Sequence, residues 1–457
     1  MAFAALPGHA QMPNTLSPAD KVYGLSKFWS EVNFNFVYLN RIDRKMWDST
    51  YRALIPQVEQ TPDDYAYYRL LQKFCALLHD GHTGVWFPPE VGRKIIQNMY
   101  GDYLISLTNV GGQAVVQTTL KSKLKEVPLG SVVTEVEGIP VDRYVRDSVY
   151  PYISSSTDYV RQDVAMHWLL AGPAGVTHRV MFKRPDGSTI ELTLTHARSN
   201  VQPDDIVTAV KPGSGELLEL KWYKGDIAYL ALNSFGDPKI DTLFLEKLPE
   251  LARAKGLIID LRNNGGGSTD IGTNILQYLT RDPFIAYSAN QSRVYYPYRR
   301  AQGQWVETGD TAGNALRTQE WLMAHDYAVF NDRSGGSSPN RAGAQRIVVP
   351  TVLLVSHNTA SAAEDFLVSA YRQKHMIRMG QNSYGSTGQP LQLDMPGGGG
   401  ARICTKMDTY PDGTEFVGVG IKPDIPVEMT VQDYIDGKDP VLERALAYLT
   451  KDVAITH

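Results

Sequence analysis

Ser361 lies in Asn358-Thr-Ala-Ser-Ala-Ala-Glu364, directly after the apolar run Ile347-Val-Val-Pro-Thr-Val-Leu-Leu-Val355 and at the start of an amphipathic segment that reaches about Tyr371. A buried strand turning sharply into a helix N-terminus holds a serine hydroxyl at the sheet edge. Backbone N–H groups beside it can stabilise a developing oxyanion. Ser361 is therefore the candidate nucleophile. The plainer reading is structural: Ser361-Ala-Ala-Glu364 is also a capping box, in which serine and glutamate satisfy the first amides of the helix. Caps outnumber catalytic serines, so other segments must decide.

The segment Gly256-Leu-Ile-Ile-Asp-Leu-Arg-Asn-Asn-Gly-Gly-Gly267 is an apolar strand that ends in a polar turn with three consecutive glycines. Without Cβ atoms such a run can approach a ligand closely and turn its amides inward. Alone it would equally be a loop leading to a helix near Asp270 to Leu279.

Asp260-Leu-Arg-Asn-Asn-Gly-Gly-Gly267, then Thr359-Ala-Ser-Ala-Ala-Glu364, then Gly418-Val-Gly-Ile-Lys-Pro-Asp-Ile-Pro-Val427 together resemble the signature segments of the C-terminal processing peptidases and the tricorn core protease. The matches run in the family's order from about Gly225 to Val427. This resemblance implies a crotonase-like α/β core, Ser361 as nucleophile, and an oxyanion hole formed by N–H groups from Gly265, Gly266 or Gly267 and from Ala362.

A serine hydroxyl needs a base to take its proton. In the processing-peptidase branch that base is a lysine in a Gly-Lys-Gly segment, and the corresponding position here is Ser386, inside Tyr384-Gly-Ser-Thr-Gly-Gln389. The departure directs the search to the 10 histidines. His82, in Leu77-Leu-His-Asp-Gly-His-Thr-Gly84, follows a helical segment that breaks at Gly81, and resembles the N-terminal base of the tricorn-type branch. His79, on the preceding turn, needs no special explanation. In that branch a serine directly before the histidine orients it, whereas this chain has Gly81. Asp80, Thr83 and Glu364 are therefore orienting candidates, and Glu415, just before the closing strand, lies near the branch's catalytic glutamate. A solvent-facing strand residue is the plainer reading of Glu415.

The elements that must position these groups fall into four stretches. Residues 1–17 are expected to be a signal remnant or a disordered N-terminus. Residues 18–98 read as a helical domain carrying the candidate base, with Ser17 or Ser26 as caps and Tyr67, Leu70, Leu71, Phe74 and Leu77 at helical spacing. Residues 99–198 read as short β-runs. Leu129 to Val141 resembles the central hairpin of a PDZ domain, which captures a peptide by strand addition and holds its C-terminal carboxylate. A peptide-binding module and a degenerate one that only packs on the core both remain open. Residues 199–457 alternate strand and helix as an α/β layer fold, with an insertion at 283–345. The expected class is thus α/β, with a crotonase-like core, an N-terminal helical domain and a PDZ-like β-rich domain. The Tyr- and Arg-rich insertion is expected to be a lid or a dimer contact.

Composition narrows the partners. With 45 basic and 49 acidic residues, a net charge of −4 gives no polyanion-binding signature, so nucleic acid is not expected. No run approaches the roughly 20 apolar residues needed to span a bilayer. The start, Met1 to Gln11, resembles the tail of a secretory signal without its positive region, so an exported protein is expected, with a cytoplasmic one as the alternative. Cys75 and Cys404 form neither a framework nor a metal-ligand spacing; buried thiols and one disulfide both fit. No cofactor or metal is expected. The function expected is serine endopeptidase action on peptides or unfolded proteins, with selection by the C-terminus and room for a homo-oligomer. The alternative is a non-catalytic peptide or ligand binder on the same fold, and a weaker one is acyl transfer on a thioester.

Overall fold

A computed structural model describes residues 12–209, 215–343 and 345–455 of the 457-residue chain. The signal-like stretch Met1 to Gln11 lies outside the described residues.

Three helices come first: α1 (Pro18–Asn35), α2 (Arg44–Glu59) and α3 (Asp64–Ala76). Each starts at an acceptor side chain that takes up free amides: Ser17, Asp43 and Asp63 respectively. Ser26 is no cap; it sits within α1, its hydroxyl 2.9 Å from that of Tyr51. The apolar stripe of α3 buries Tyr67, Leu71 and Phe74, and Phe74 stacks on Trp47 of α2 at 3.8 Å. After α3 the chain turns through Asp80 to Thr83 into β1 (Gly84–Trp86).

A β-rich layer follows, with β2 (Ser106–Val110), β3 (Gln113–Leu120), β4 (Val132–Val136), α4 (Asp158–His167), β5 (Thr177–Lys183), β6 (Thr189–Thr195) and β7 (Ile206–Thr208). Its sheet runs β6-β5-β4-β3-β7, with β2 paired to β3. Val116, Val133, Val136, Val180, Phe182 and Leu194 are buried in its core, Val180 and Phe182 at the period of two of a strand, and α4 closes this core with Ala165 and Met166.

The remaining sheet is built from β8 (Leu218–Tyr223), β9 (Ile227–Leu232), β10 (Gly256–Asp260), β12 (Thr351–Val355), β13 (Met376–Gly380) and β17 (Ile425–Pro426), in that spatial order. Every neighbour pair is parallel except β8 with β9. Helices α5 (Lys239–Leu251), α6 (Thr269–Gln277) and α7 (Ala362–Ala370) belong to the core on one face of the sheet, with Leu230, Leu232, Leu257, Ile259 and Leu353. The other face packs Ile227, Ile258, Val352 and Leu354 against α8 (Pro440–Ile455) through Val441, Ala445 and Leu449. Burial on both faces explains why these strands are continuous apolar runs in the sequence.

Three short strands join the layers. β14 (Pro390–Met395) and β15 (Gly399–Cys404) form a hairpin, and β15 also pairs with β1, Val85 opposite Ala401. Strand β16 (Lys406–Thr409) pairs with β11 (Ala289–Ser292) at the base of the insertion. The β1–β15 ladder fixes the turn that carries His82 to the parallel-sheet layer. Among the described residues no helix is long and apolar enough to cross a membrane. Cys75 and Cys404 are both buried free thiols.

Candidate active site

Ser361 ends the turn after β12 and is the N-cap of α7. Its φ of 57° and ψ of −122° place a residue with a Cβ in left-handed space, strain of about 1–3 kcal/mol that persists where surrounding contacts enforce it. The glutamate half of the capping box is made, while the Ser361 hydroxyl makes no cap hydrogen bond. Ser361 N–H donates to Glu364 Oε2 at 3.1 Å, and Glu364 N–H donates to the Ser361 carbonyl at 2.7 Å. The hydroxyl meanwhile lies 3.3 Å from His82 Nε2. The structural and chemical readings of this serine therefore coexist, because the cap leaves the hydroxyl facing an imidazole.

His82 is brought to that position by the turn between α3 and β1. Thr83 Oγ1 donates to Asp80 Oδ2 at 2.6 Å and accepts from the Cys404 amide at 3.0 Å. The Gly81 amide donates to Ser156 Oγ, and Arg402 Nη2 donates to the Gly81 carbonyl at 3.0 Å. Asp80 and Thr83 thus shape the turn, and neither bonds the ring. His79 is exposed on the preceding turn.

The group that meets His82 Nδ1 is Ser386, at 2.7 Å and fully buried. Donation from Nδ1–H to Ser386 Oγ leaves the Nε2 lone pair for the Ser361 proton. Ser386 also explains Gly81: a Cβ there would sit 3.1 Å from Ser386 Oγ and 2.6 Å from Tyr384 Cε1. Glu415, the expected third member, is not brought to the ring. It is half exposed on the surface, where its carboxylate pairs with Arg41 at 3.1 Å. Both ring nitrogens are already taken by serines.

Glu364 is fully buried and does not touch the imidazole. It accepts from Ser383 Oγ (2.6 Å), Gly385 N–H (2.7 Å), Ser386 N–H (3.2 Å) and Ser361 N–H. It therefore ties the Ser361 turn to the loop that carries Ser386. Burial pushes its pKa up to about 8, opposed by these donated bonds. For His82, burial lowers the pKa to about 4, and the charges of Arg402 and Lys406 add to the effect.

The glycine loop packs on the same turn. Gly266 (φ 97°) passes so close to Ser361 that a Cβ would lie 2.6 Å from Ser361 Cβ and 2.9 Å from Ala362 N. Its own N–H is engaged by Asn264 Oδ1 at 2.9 Å, which removes Gly266 from the oxyanion donors. Gly265, Gly267 and Ala362 keep amides with no hydrogen-bond partner among the described residues. A cavity of about 450 Å³ opens at the first turns of α6 and α7, lined by Thr269, Ser288, Asp365, Lys406 and Asp408. Among the described residues no group of three or more His, Cys, Asp or Glu side chains could hold a metal ion.

Residues 226–427 match the family model described as Peptidase family S41. Over this segment the chain is similar to peptidase family S41. The S41 segment holds Ser361, the glycine loop, Glu364 and Ser386, while His82 comes from outside it. A carboxy-terminal-processing protease of Bartonella bacilliformis is 24% identical over 268 residues, covering 56% of this chain and 51% of the relative. A carboxyl-terminal-processing protease of Picosynechococcus is 22% identical over 393 residues, 85% of this chain and 80% of that protein. The chain spans about half the length of the first of these relatives. Among solved structures, mature CPAF superposes with a TM-score of 0.66 at 15% identity, covering 95% of this chain and 96% of that one. That likeness establishes a shared mixed α/β fold.

Sequence reasoning located Ser386 only as the place where a lysine was absent, and it missed Asn264 as the residue that shapes the glycine loop. Asn264 is fully buried, and its Nδ2 donates to the Leu232 carbonyl at 2.9 Å. The second asparagine of the Asn-Asn-Gly run was the available signal.

Proposed function

We propose that this chain is a serine endopeptidase acting on peptides or unfolded proteins, with Ser361 as nucleophile and His82 as general base. The observation that carries the reading is the Ser361–His82–Ser386 relay, with distances of 3.3 and 2.7 Å. Ser361 Oγ attacks the scissile carbonyl carbon as its proton passes to His82 Nε2. The carbonyl oxygen, now negative, is held by the Ala362 amide and by that of Gly265 or Gly267. His82 then returns the proton to the leaving amine, freeing it and leaving an acyl ester on Ser361. Water, deprotonated by the same nitrogen, cleaves the ester.

On this reading the parallel sheet with its helices is a crotonase-like core, residues 199–457 with the insertion at 283–345. It is preceded by a helical domain at 18–98 and a PDZ-like domain at 99–198. Export, an oligomeric state and choice of substrate by its C-terminus belong to the same proposal. A non-catalytic binder on this fold would not need a hydroxyl aimed at a buried neutral imidazole. Treatment with a fluorophosphonate probe tests the assignment: covalent labelling should map to Ser361 and vanish in His82→Ala. Labelling elsewhere, or undiminished labelling in His82→Ala, refutes it.

A further inference from the structure

The second large cavity, about 770 Å³, lies between α3, β1 and α4, and its wall includes Gly81 and Thr83, the residues flanking His82. Its character comes from Tyr65, Arg69, Trp86, Tyr152, Trp168 and Arg402, and among the described residues no Asp or Glu lines it. Both arginines spend their side-chain hydrogen bonds on neutral oxygens. Arg69 Nη1 donates to Gln72 Oε1 at 2.9 Å, and Arg402 Nη2 donates to the Gly81 carbonyl. Arg69 lies flat on Tyr152, its guanidinium carbon 3.5 Å from the ring centroid. Burial lowers the Arg69 pKa, the sign of a cation short of compensation. Trp86 and Trp168 are 43% and 45% exposed, so large apolar faces are open to an incoming group.

A half-buried guanidinium is a costly group unless an anion meets it, and the fork of Arg suits a carboxylate. Aromatic walls around that fork suit an apolar body attached to the anion. The volume lies within the range of small-molecule pockets, roughly 300–1,000 Å³, and holds a few residues of chain. The expected alternative for reading a C-terminus was strand addition to the β-rich layer. There the free edge of β2 is bridged by α4: Asn109 Nδ2 donates to Asp163 Oδ1 at 2.5 Å, and His167 Nδ1 donates to the Leu107 carbonyl at 3.3 Å. A strand added at that edge would have to displace both.

We propose that this cavity binds the free C-terminus of a peptide substrate, its carboxylate on Arg69 and Arg402 and its last, bulky apolar side chain among the aromatic rings. The assignment rests on the peptidase reading for its biological meaning, but binding is measurable without turnover. The full chain carrying Ser361→Ala is titrated with a fluorescein-labelled decapeptide ending in Phe, as the free acid and as the amide, and anisotropy is recorded. The free acid should bind at least ten-fold more tightly than the amide. Adding Arg69→Gln should abolish that difference by weakening the acid alone, and Arg69→Lys should restore part of it. Trp168→Glu, a change at the exposed rim that leaves the arginines in place, should weaken the acid by at least ten-fold as well. Equal affinity for acid and amide overturns the proposal, as does an acid preference indifferent to both Arg69→Gln and Trp168→Glu. Dodecanoate is the control for the other source of an apolar carboxylate: if it binds with the same arginine dependence and the peptide acid does not bind, the site is a lipid-acid site and the peptide assignment fails. Binding with no cleavage by the unsubstituted enzyme would instead refute Ser361 catalysis and leave this site standing.

Discussion

At His82 Nδ1 the partner is a hydroxyl, where a carboxylate would have stabilised the imidazolium formed during proton transfer. Arg402 and Lys406 push further in the same direction, and burial completes a fall in pKa to about 4. His82 is therefore neutral well into the acid range, as the proposed base must be. The acid limb of kcat/KM should lie near pH 4, where an unperturbed imidazole would place it near about 6.5. Arg402→Gln removes one of the two cations and should move that limb upward; a wild-type limb at the unperturbed value would refute the electrostatic account. Ser386→Ala removes the group that holds the ring's tautomer. Loss of one buried hydrogen bond of about 1–3 kcal/mol should lower kcat about ten- to hundred-fold with KM little changed. Steady-state kinetics that show no change would make Ser386 a packing residue only. Ser361→Ala should abolish hydrolysis, yet cost only about 1 kcal/mol or less of stability, because the backbone N–H that donates to Glu364 is retained. Near-native activity with a lowered Tm would leave the serine as a cap alone.

Four elements meet at the site: the turn after α3, the glycine loop before α6, the N-terminus of α7 and the loop after β13. Glu364 binds the last two together as an acceptor for four donors. Glu364→Ala removes the acceptor that those N–H and O–H groups share. It should destabilise the protein by at least about 3 kcal/mol, more than Ser361→Ala, since buried donors lose their acceptor. Comparable unfolding midpoints for the two variants in urea would refute this role. What could be read from sequence here was local. The apolar runs of β9, β10 and β12, the glycine loop and the Ser361 turn each announce themselves within about ten residues. What could not be read was pairing across the chain: the His82–Ser386 bond spans 304 residues. Nothing in the sequence around Glu415 foretold that Arg41, 374 residues away, would draw it to the surface. Asp80 and Thr83 were singled out for their closeness in sequence to His82, and they serve that turn's backbone instead.

On the scale of the whole molecule, the buried His82 ties the proposed catalysis to acid stability. A histidine whose folded pKa is depressed leaves the unfolded state binding more protons, so its contribution is intact above about 6.5 and is lost as pH falls toward 4. For one buried ring the full loss is on the order of 3 kcal/mol. His178 and His375, also lowered by burial, act in the same direction. Glu364 acts oppositely: with its pKa raised to about 8, its contribution is present below the unfolded carboxyl value and is lost as pH rises through 8. The two groups oppose each other between about pH 4.5 and 6.5, so the wild-type curve alone cannot separate them. The difference between wild type and His82→Gln can, because Glu364 is common to both. Thermal unfolding followed from pH 7 to pH 4 should show the two proteins converging, or crossing, as the wild type loses the stability tied to its neutral imidazole. Parallel curves would mean that His82 takes up its proton in the folded state as readily as in the unfolded one, and the base would then titrate near its ordinary value in the enzyme.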